Sequence, residues 1–148
     1  MSLRGSITTS DYLPFDEYQR LVKCLEDDRQ YLWCAYCILS FCLALRISDV
    51  LKLTWGEVLD KREVIVTEKK TDKTKTIPIN SNTSEHLSEL YKKLKKPTPH
   101  KYIFINKEIN KVYTRQRVNQ ILKEVKERYN IKVGNFSSHT FRKTFGRY

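Results

Sequence analysis

Four side chains in this sequence have the types needed to work on a phosphodiester: Arg46, Lys70, His139 and Arg142. His139 and Arg142 stand three apart in Ser137-Ser138-His139-Thr140-Phe141-Arg142-Lys143-Thr144-Phe145-Gly146. One helical turn would align them on the same face. Phosphoryl transfer needs positive charge on the non-bridging oxygens and a proton for the leaving oxygen. Arginine suits the first task, because its planar fork donates two parallel bonds and its charge is permanent. Lysine and histidine suit the second, because their pKa values can be moved toward the working pH. Each residue alone is a weak signal. Arg46 has an ordinary structural alternative, an ion pair with Asp49. Lys70 can be read as a solvated turn lysine, His139 as a helix-start residue bonded to backbone, and Arg142 as a surface cation like Lys143. The weight lies in their order along the chain and in the residues that flank them.

The chain that must position these groups has 148 residues, and 40% of them are hydrophobic. That is enough for one domain with an ordinary core and argues against disorder throughout. Lys plus Arg number 28 against 17 Asp plus Glu, a formal charge of +11. Such a surplus points to a polyanionic partner, with nucleic acid first; the plain alternative is a solvated basic surface. No segment has the Lys/Trp/Phe layout of a membrane-surface helix. The start, Met1-Ser2-Leu3-Arg4-Gly5, lacks the apolar run of a signal peptide. The longest apolar stretch, Tyr31 to Leu45, is short for a membrane span and reads as a buried central helix. Its Cys34, Cys37 and Cys42 read as buried free thiols rather than as a metal or redox site, since no second ligand pair has matching spacing. The compartment implied is reducing, hence cytoplasmic, with association to the nucleoid.

Pro14 and the acids Asp16 and Glu17 mark a helix start, with the helix running to about Leu25. Asp27-Asp28 are expected to open the long apolar helix, which ends near Leu45. A short helix or turn follows over 46–51, anchored by Leu51, Leu53 and Trp55. Glu63 to Thr67 reads as a strand paired with Thr74 to Ile79 across a polar turn, and Val58-Leu59 as a third short strand. Asn82 with Glu85 resembles a capping signal for a helix bearing Leu87, Leu90, Tyr91 and Leu94. From Thr114 to Tyr129 the apolar residues follow helical spacing. Arg115, Arg117, Lys123, Lys126 and Arg128 form the other face, either a nucleic-acid surface or a solvated one. The expected fold is α+β, mainly helical, with a small antiparallel sheet of about three strands.

Leu45-Arg46-Ile47-Ser48-Asp49-Val50-Leu51-Lys52-Leu53-Thr54-Trp55 resembles the first motif box of the tyrosine recombinases, the phage integrase family. Lys69-Lys70-Thr71-Asp72-Lys73 through Ile77-Pro78-Ile79 resembles that family's β-hairpin, and His139-Thr140-Phe141-Arg142 its His-x-x-Arg box. The resemblance runs from about Tyr12 to the end. It implies that Arg46 and Arg142 clamp the scissile phosphate, that Lys70 protonates the leaving 5′-oxygen, that His139 assists proton transfer and that Asp49 orients the site. It further implies DNA contacts by Lys69, Lys73, Lys75, Arg115, Arg117, Lys123 and Lys143. Double-stranded DNA is the implied partner, and a DNA-bound tetramer the working assembly. The family uses no metal and no ATP; a tyrosine attacks to form a 3′-phosphotyrosyl bond. That tyrosine lies well beyond the arginine box in the family, so Tyr148 does not match it and the nucleophile is expected beyond Tyr148. Residues 1–11 then read as an N-terminal arm or cloning scar, and 12–148 as a partial catalytic domain lacking its nucleophile segment. The alternatives are a non-catalytic DNA-binding regulatory module and, less compatible with the first box, a topoisomerase that also uses a phosphotyrosine.

Overall fold

The apolar central helix organises the molecule. The computed structural model describes residues 13–134 together with Phe136 and Thr140. Helix α1 spans Phe15–Asp27 and helix α2 Tyr31–Leu43. In α2, Trp33 through Ser40 and Leu43 are all buried, so the helix is covered around its whole circumference. Helix α1 packs on it through Tyr18, Leu21, Val22 and Leu25, one stripe at helical spacing. Tyr18 stacks on Phe41 of α2 with ring centroids 4.2 Å apart.

Asp27 and Asp28 do not open α2. Asp27 closes α1, Arg29 turns the chain at φ 58°, and α2 begins at Tyr31 behind Gln30, which makes no side-chain cap bond. The Asp28 carboxylate is engaged elsewhere: it accepts from the Tyr129 hydroxyl at 2.7 Å. Helix α2 also ends two residues early, at Leu43, because Ala44 adopts left-handed φ 52°, ψ 37° and its N–H closes on the Ser40 carbonyl.

Two one-turn helices follow, α3 at Ile47–Val50 and α4 at Trp55–Val58. Strands β1 (Glu63–Thr67) and β2 (Thr74–Pro78) pair antiparallel with Thr67 opposite Thr74. The expected strand at Val58-Leu59 is a helical turn instead. Thr54 and Glu57 form a capping box, with the Thr54 amide donating to Glu57 Oε1 at 2.8 Å. Helix α5 is Ser81–Lys93; its cap is Asn80 rather than Asn82, with Asn80 Oδ1 accepting from the Thr83 amide at 2.8 Å. A second hairpin pairs β3 (Ile105–Asn106) with β4 (Lys111–Val112), and helix α6 covers Arg115–Tyr129 behind the Thr114 cap. The described residues thus form six helices and two two-stranded antiparallel sheets, where the sequence suggested one sheet of about three strands.

Long-range polar contacts tie the ends of the fold together. The Arg20 guanidinium forks onto Glu17 and donates to the carbonyls of Tyr129 and Asn130, locking α1 to the end of α6. All four cysteines are free. Burial pushes the Cys34 thiol up to about 12 and raises those of Cys37 and Cys42, so they are protonated core groups at neutral pH. No helix among the described residues is long and apolar enough to cross a membrane.

The turn at Ala44 sets where Arg46 enters the structure, and a residue with a Cβ holds it at a left-handed φ. That conformation costs about 1–2 kcal/mol for an L-residue, which glycine avoids at some cost in unfolded-state entropy. Ala44→Gly should therefore raise stability by about 0.5–1 kcal/mol. An upward shift of the urea midpoint at unchanged slope checks this, and a downward shift contradicts it.

Candidate phosphate-binding site

Arg46 is the residue between the end of α2 and the start of α3. Leu45 and Ile47 on either side are buried, at 2% and 8% exposure. They pin the backbone while the Arg46 side chain stays 31% exposed. Arg46 has extended φ −65°, ψ 150°, and its carbonyl accepts from the amides of Asp49 and Val50 at 2.9 and 3.1 Å. Both apolar anchors and the one-turn helix thus aim a single cation outward from the core.

The structural alternative for Arg46, an ion pair with Asp49, does not form among the described residues. Asp49 is 1% exposed, and its Oδ1 accepts from the backbone amide of Lys69 at 3.0 Å. Its Oδ2 is buried with no hydrogen-bond partner among the described residues. Arg46 Nη1 instead lies 3.5 Å from Oε2 of Glu68. Glu68 is 4% exposed, receives Lys75 Nζ on the same oxygen at 3.2 Å, and accepts from the Thr71 hydroxyl on Oε1 at 3.0 Å. Hydrogen bonds from Lys75 and then Thr71, opposed by burial, hold its carboxyl below the ordinary value of 4.5, with the Arg46 charge adding to the effect.

Glu68 also organises the turn that carries Lys70. Its amide donates to the Lys73 carbonyl and its carbonyl accepts from the Asp72 amide, both at 2.8 Å. Asp72 sits at φ 57°, the left-handed turn position. Lys70 is exposed on this turn. It directly follows the amide held by Asp49 and stands two residues from the carboxylate facing Arg46. Chain geometry limits the Lys70 Cα to about 8 Å from that of Glu68. Two carboxylates therefore join α3 to the hairpin and bring the bases of Arg46 and Lys70 to one region. His139, Arg142, Lys143 and Tyr148 lie outside the described residues; between His139 and Arg142, Thr140 is helical and 1% exposed.

The basic residues divide into two sets. Lys69, Lys73, Arg115 and Lys123 are exposed. Lys75 is engaged by Glu68, and Arg117 reaches Gln120 at 3.2 Å and Glu124 at 3.6 Å. Lys126 donates to the Gly134 carbonyl and Arg128 lies 3.5 Å from Asp28. Part of the basic face of α6 is thus committed within the fold. Glu68 is the site residue that sequence reasoning missed. The available signal was an acid at the strand end beside Lys69, Lys70, Lys73 and Lys75, where a carboxylate has cations to hold.

Comparison with known proteins places this fold. The model of the phage integrase family matches residues 11–148. The chain belongs to the phage integrase family. It is 33% identical over 103 residues to the "Probable integrase/recombinase YoeC" of Bacillus subtilis (strain 168), covering 70% of this chain and 54% of that protein. The chain thus spans about half the length of that relative. Among solved structures it resembles XerA recombinase, with TM-score 0.73 and 20% identity over 90% of this chain and 48% of that one. It also resembles DNA-bound lambda integrase (residues 75–356), with TM-score 0.67 and 17% identity over 92% of this chain and 49% of that one. These likenesses establish the tyrosine-recombinase catalytic-domain fold.

The lowered Glu68 carboxyl gives a pH prediction. A group whose folded pKa lies below its unfolded value contributes stability that is present above the unfolded value and lost as pH falls through the folded one. The stability contribution of Glu68 should therefore be full above pH 4.5 and disappear as the pH drops below it. Glu68→Gln should melt lower than the parent at neutral pH, with the gap narrowing in acid. Thermal scans across pH 3 to 7 (roughly the window that carboxylate linkage spans) check this, and a gap that widens in acid contradicts it.

Proposed function

We propose that residues 12–148 are the phosphate-binding part of the catalytic domain of a site-specific DNA recombinase. The reaction is strand cleavage and rejoining through a 3′-phosphotyrosyl intermediate, with the tyrosine supplied by sequence beyond Tyr148. The observation that carries this reading is the joint at Asp49 and Glu68, which brings Arg46 and the Lys70 turn to one region. Family membership and the fold support it.

In this reading Arg46 and Arg142 neutralise the non-bridging oxygens of the scissile phosphate as charge builds in the transition state. The long 3.5 Å contact with Glu68 orients the Arg46 guanidinium while leaving donors for a phosphate. Lys70, on a turn held at both ends, delivers a proton to the departing 5′-oxygen, and His139 assists proton transfer. Asp49 sets the turn, and its buried Oδ2 is an acceptor of the kind a donor from the His139–Arg142 segment would satisfy. The partner is double-stranded DNA, contacted by Lys69, Lys73, Arg115, Lys123 and Lys143. Lys75 and Arg117 join them when they exchange their present carboxylates for phosphates. The assembly proposed is a tetramer on DNA, supported by the likeness to the lambda integrase tetramer bound to a Holliday junction.

Two experiments test this. DNA affinity should fall steeply with salt, and Arg46→Ala should lower the magnitude of that log–log slope by about 1 while weakening binding to all sequences alike. Salt-insensitive binding, or unfolding of Arg46→Ala, contradicts the proposed role. On nicked DNA, a chain extended into the downstream reading frame should form a covalent adduct that residues 1–148 alone do not. Arg46→Ala in the extended chain should reduce the rate about a hundredfold or more. Intact DNA binding with no adduct from either chain would favour a non-catalytic DNA-binding module instead.

A further inference from the structure

A second cluster of chemically distinct side chains forms where α1, α2 and α5 meet. Glu26 near the end of α1, Cys34 in α2 and His86 in α5 place a carboxylate oxygen, a thiol sulfur and an imidazole nitrogen within 4.8 Å of one another. Glu26 and Cys34 stand eight residues apart on consecutive helices and His86 comes from a third helix 52 residues on, so helix packing and not a local motif assembles them. Cys37, which the Cys-x-x-Cys spacing would nominate, is not part of the group.

The surroundings are those of a built site. Cys34 is fully buried, while the Glu26 and His86 side chains are 26% and 33% exposed, which leaves an approach from solvent. A recess of about 380 Å³ lined by Tyr18, Val22, Ile38, Thr83 and His86 opens beside them. Glu26 Oε1 is 2.7 Å from His86 Nε2, and its Oε2 receives Lys93 Nζ at 3.0 Å. Lys93 in turn lies 5.4 Å over the Tyr31 ring. Among the described residues, the one hydrogen bond of Cys34 Sγ is a long 3.6 Å contact to the Val22 carbonyl.

We propose that Glu26, Cys34 and His86 bind a borderline-soft divalent cation, with zinc the best match and water as the fourth ligand. Zinc takes sulfur at about 2.3 Å and imidazole nitrogen or carboxylate oxygen at about 2.0–2.2 Å in tetrahedral array. Small side-chain rotations bring donors that already lie this close onto one ion. The donor set selects against magnesium and calcium, which take oxygen ligands. On binding, the Cys34 S–H loses its proton to solvent, the Glu26–His86 hydrogen bond is exchanged for two metal bonds, and no electron changes hands. One thiolate and one carboxylate then balance the dication. Lys93 keeps its bond to Oε2 and orients the ligating carboxylate, as outer partners of metal ligands do. The site has no part in strand chemistry. It staples the three helices that form the frame behind Arg46, so the bound ion adds to folding stability.

The test uses the whole chain, stripped with a chelator and titrated with cobalt(II) as a spectroscopic stand-in for zinc. The expected result is a near-ultraviolet thiolate-to-cobalt band and tetrahedral visible bands that saturate at about one equivalent. Zinc should remove them and raise the melting temperature; magnesium should do neither. His86→Gln is the decisive variant, because His86 is partly exposed and the change leaves the core intact. With folding verified by circular dichroism, it should weaken cobalt affinity about tenfold or more. A folded chain without the thiolate band overturns the proposal. So does a band that keeps its affinity in His86→Gln, or one abolished by Cys24→Ala.

Discussion

The hydrogen bond from the Lys69 amide to the buried carboxylate of Asp49 is the constraint on which the site depends. Asp49 belongs to a one-turn helix that cannot hold its shape alone, since an isolated turn closes too few bonds to offset its ordering. Burial of Ile47, Val50 and Leu51 fixes that turn against the core. The carboxylate then exports the position of the core to an exposed hairpin of only two strands, itself marginal without support. Loss of this bond would leave a buried carboxylate without its one hydrogen bond among the described residues, a costly state. It would also free the turn bearing Lys70.

Glu68 adds the electrostatic half of the same joint. A buried acid facing Arg46 and Lys75 is stable only while those cations are near. The pairing keeps two positive charges close together before any phosphate arrives. A bound phosphate would compete with Glu68 for Arg46, and the long 3.5 Å contact makes that exchange inexpensive. The candidate site therefore combines Arg46, held by backbone geometry, the braced turn of Lys70, and an acid that tempers the repulsion between Arg46 and Lys75.

Much of this was legible in the residues themselves. The β-branched run Glu63 to Thr67 forms the expected strand, and the apolar residues of Tyr31 to Leu43 form the expected buried helix. Val58-Leu59 suggested a third strand, but the capping box of Thr54 and Glu57 closes a helical turn there, and one β-branched residue does not outweigh it. Asp27-Asp28 resembles a helix start but ends α1, and the partner of Asp28, Tyr129, is a hundred-odd residues downstream. Glu68 was hidden among lysines; only the closure of the hairpin over α3 makes it a buried group. The meeting of Glu26, Cys34 and His86 depends on the packing of three helices, which no spacing rule encodes. His139 and Arg142 lie outside the described residues.

The most direct test of the central claim is a side-chain NMR titration. The protein would carry labelled arginine and lysine, and a short phosphodiester would be the ligand. If the joint brings Arg46 and Lys70 to one phosphate, their side-chain resonances shift together and saturate at the same concentration. Asp49→Asn, which weakens the tie to the Lys69 amide, should then reduce the Lys70 response while sparing that of Arg46. A titration in which Arg46 responds and Lys70 stays still, or in which the two saturate independently, would contradict the account.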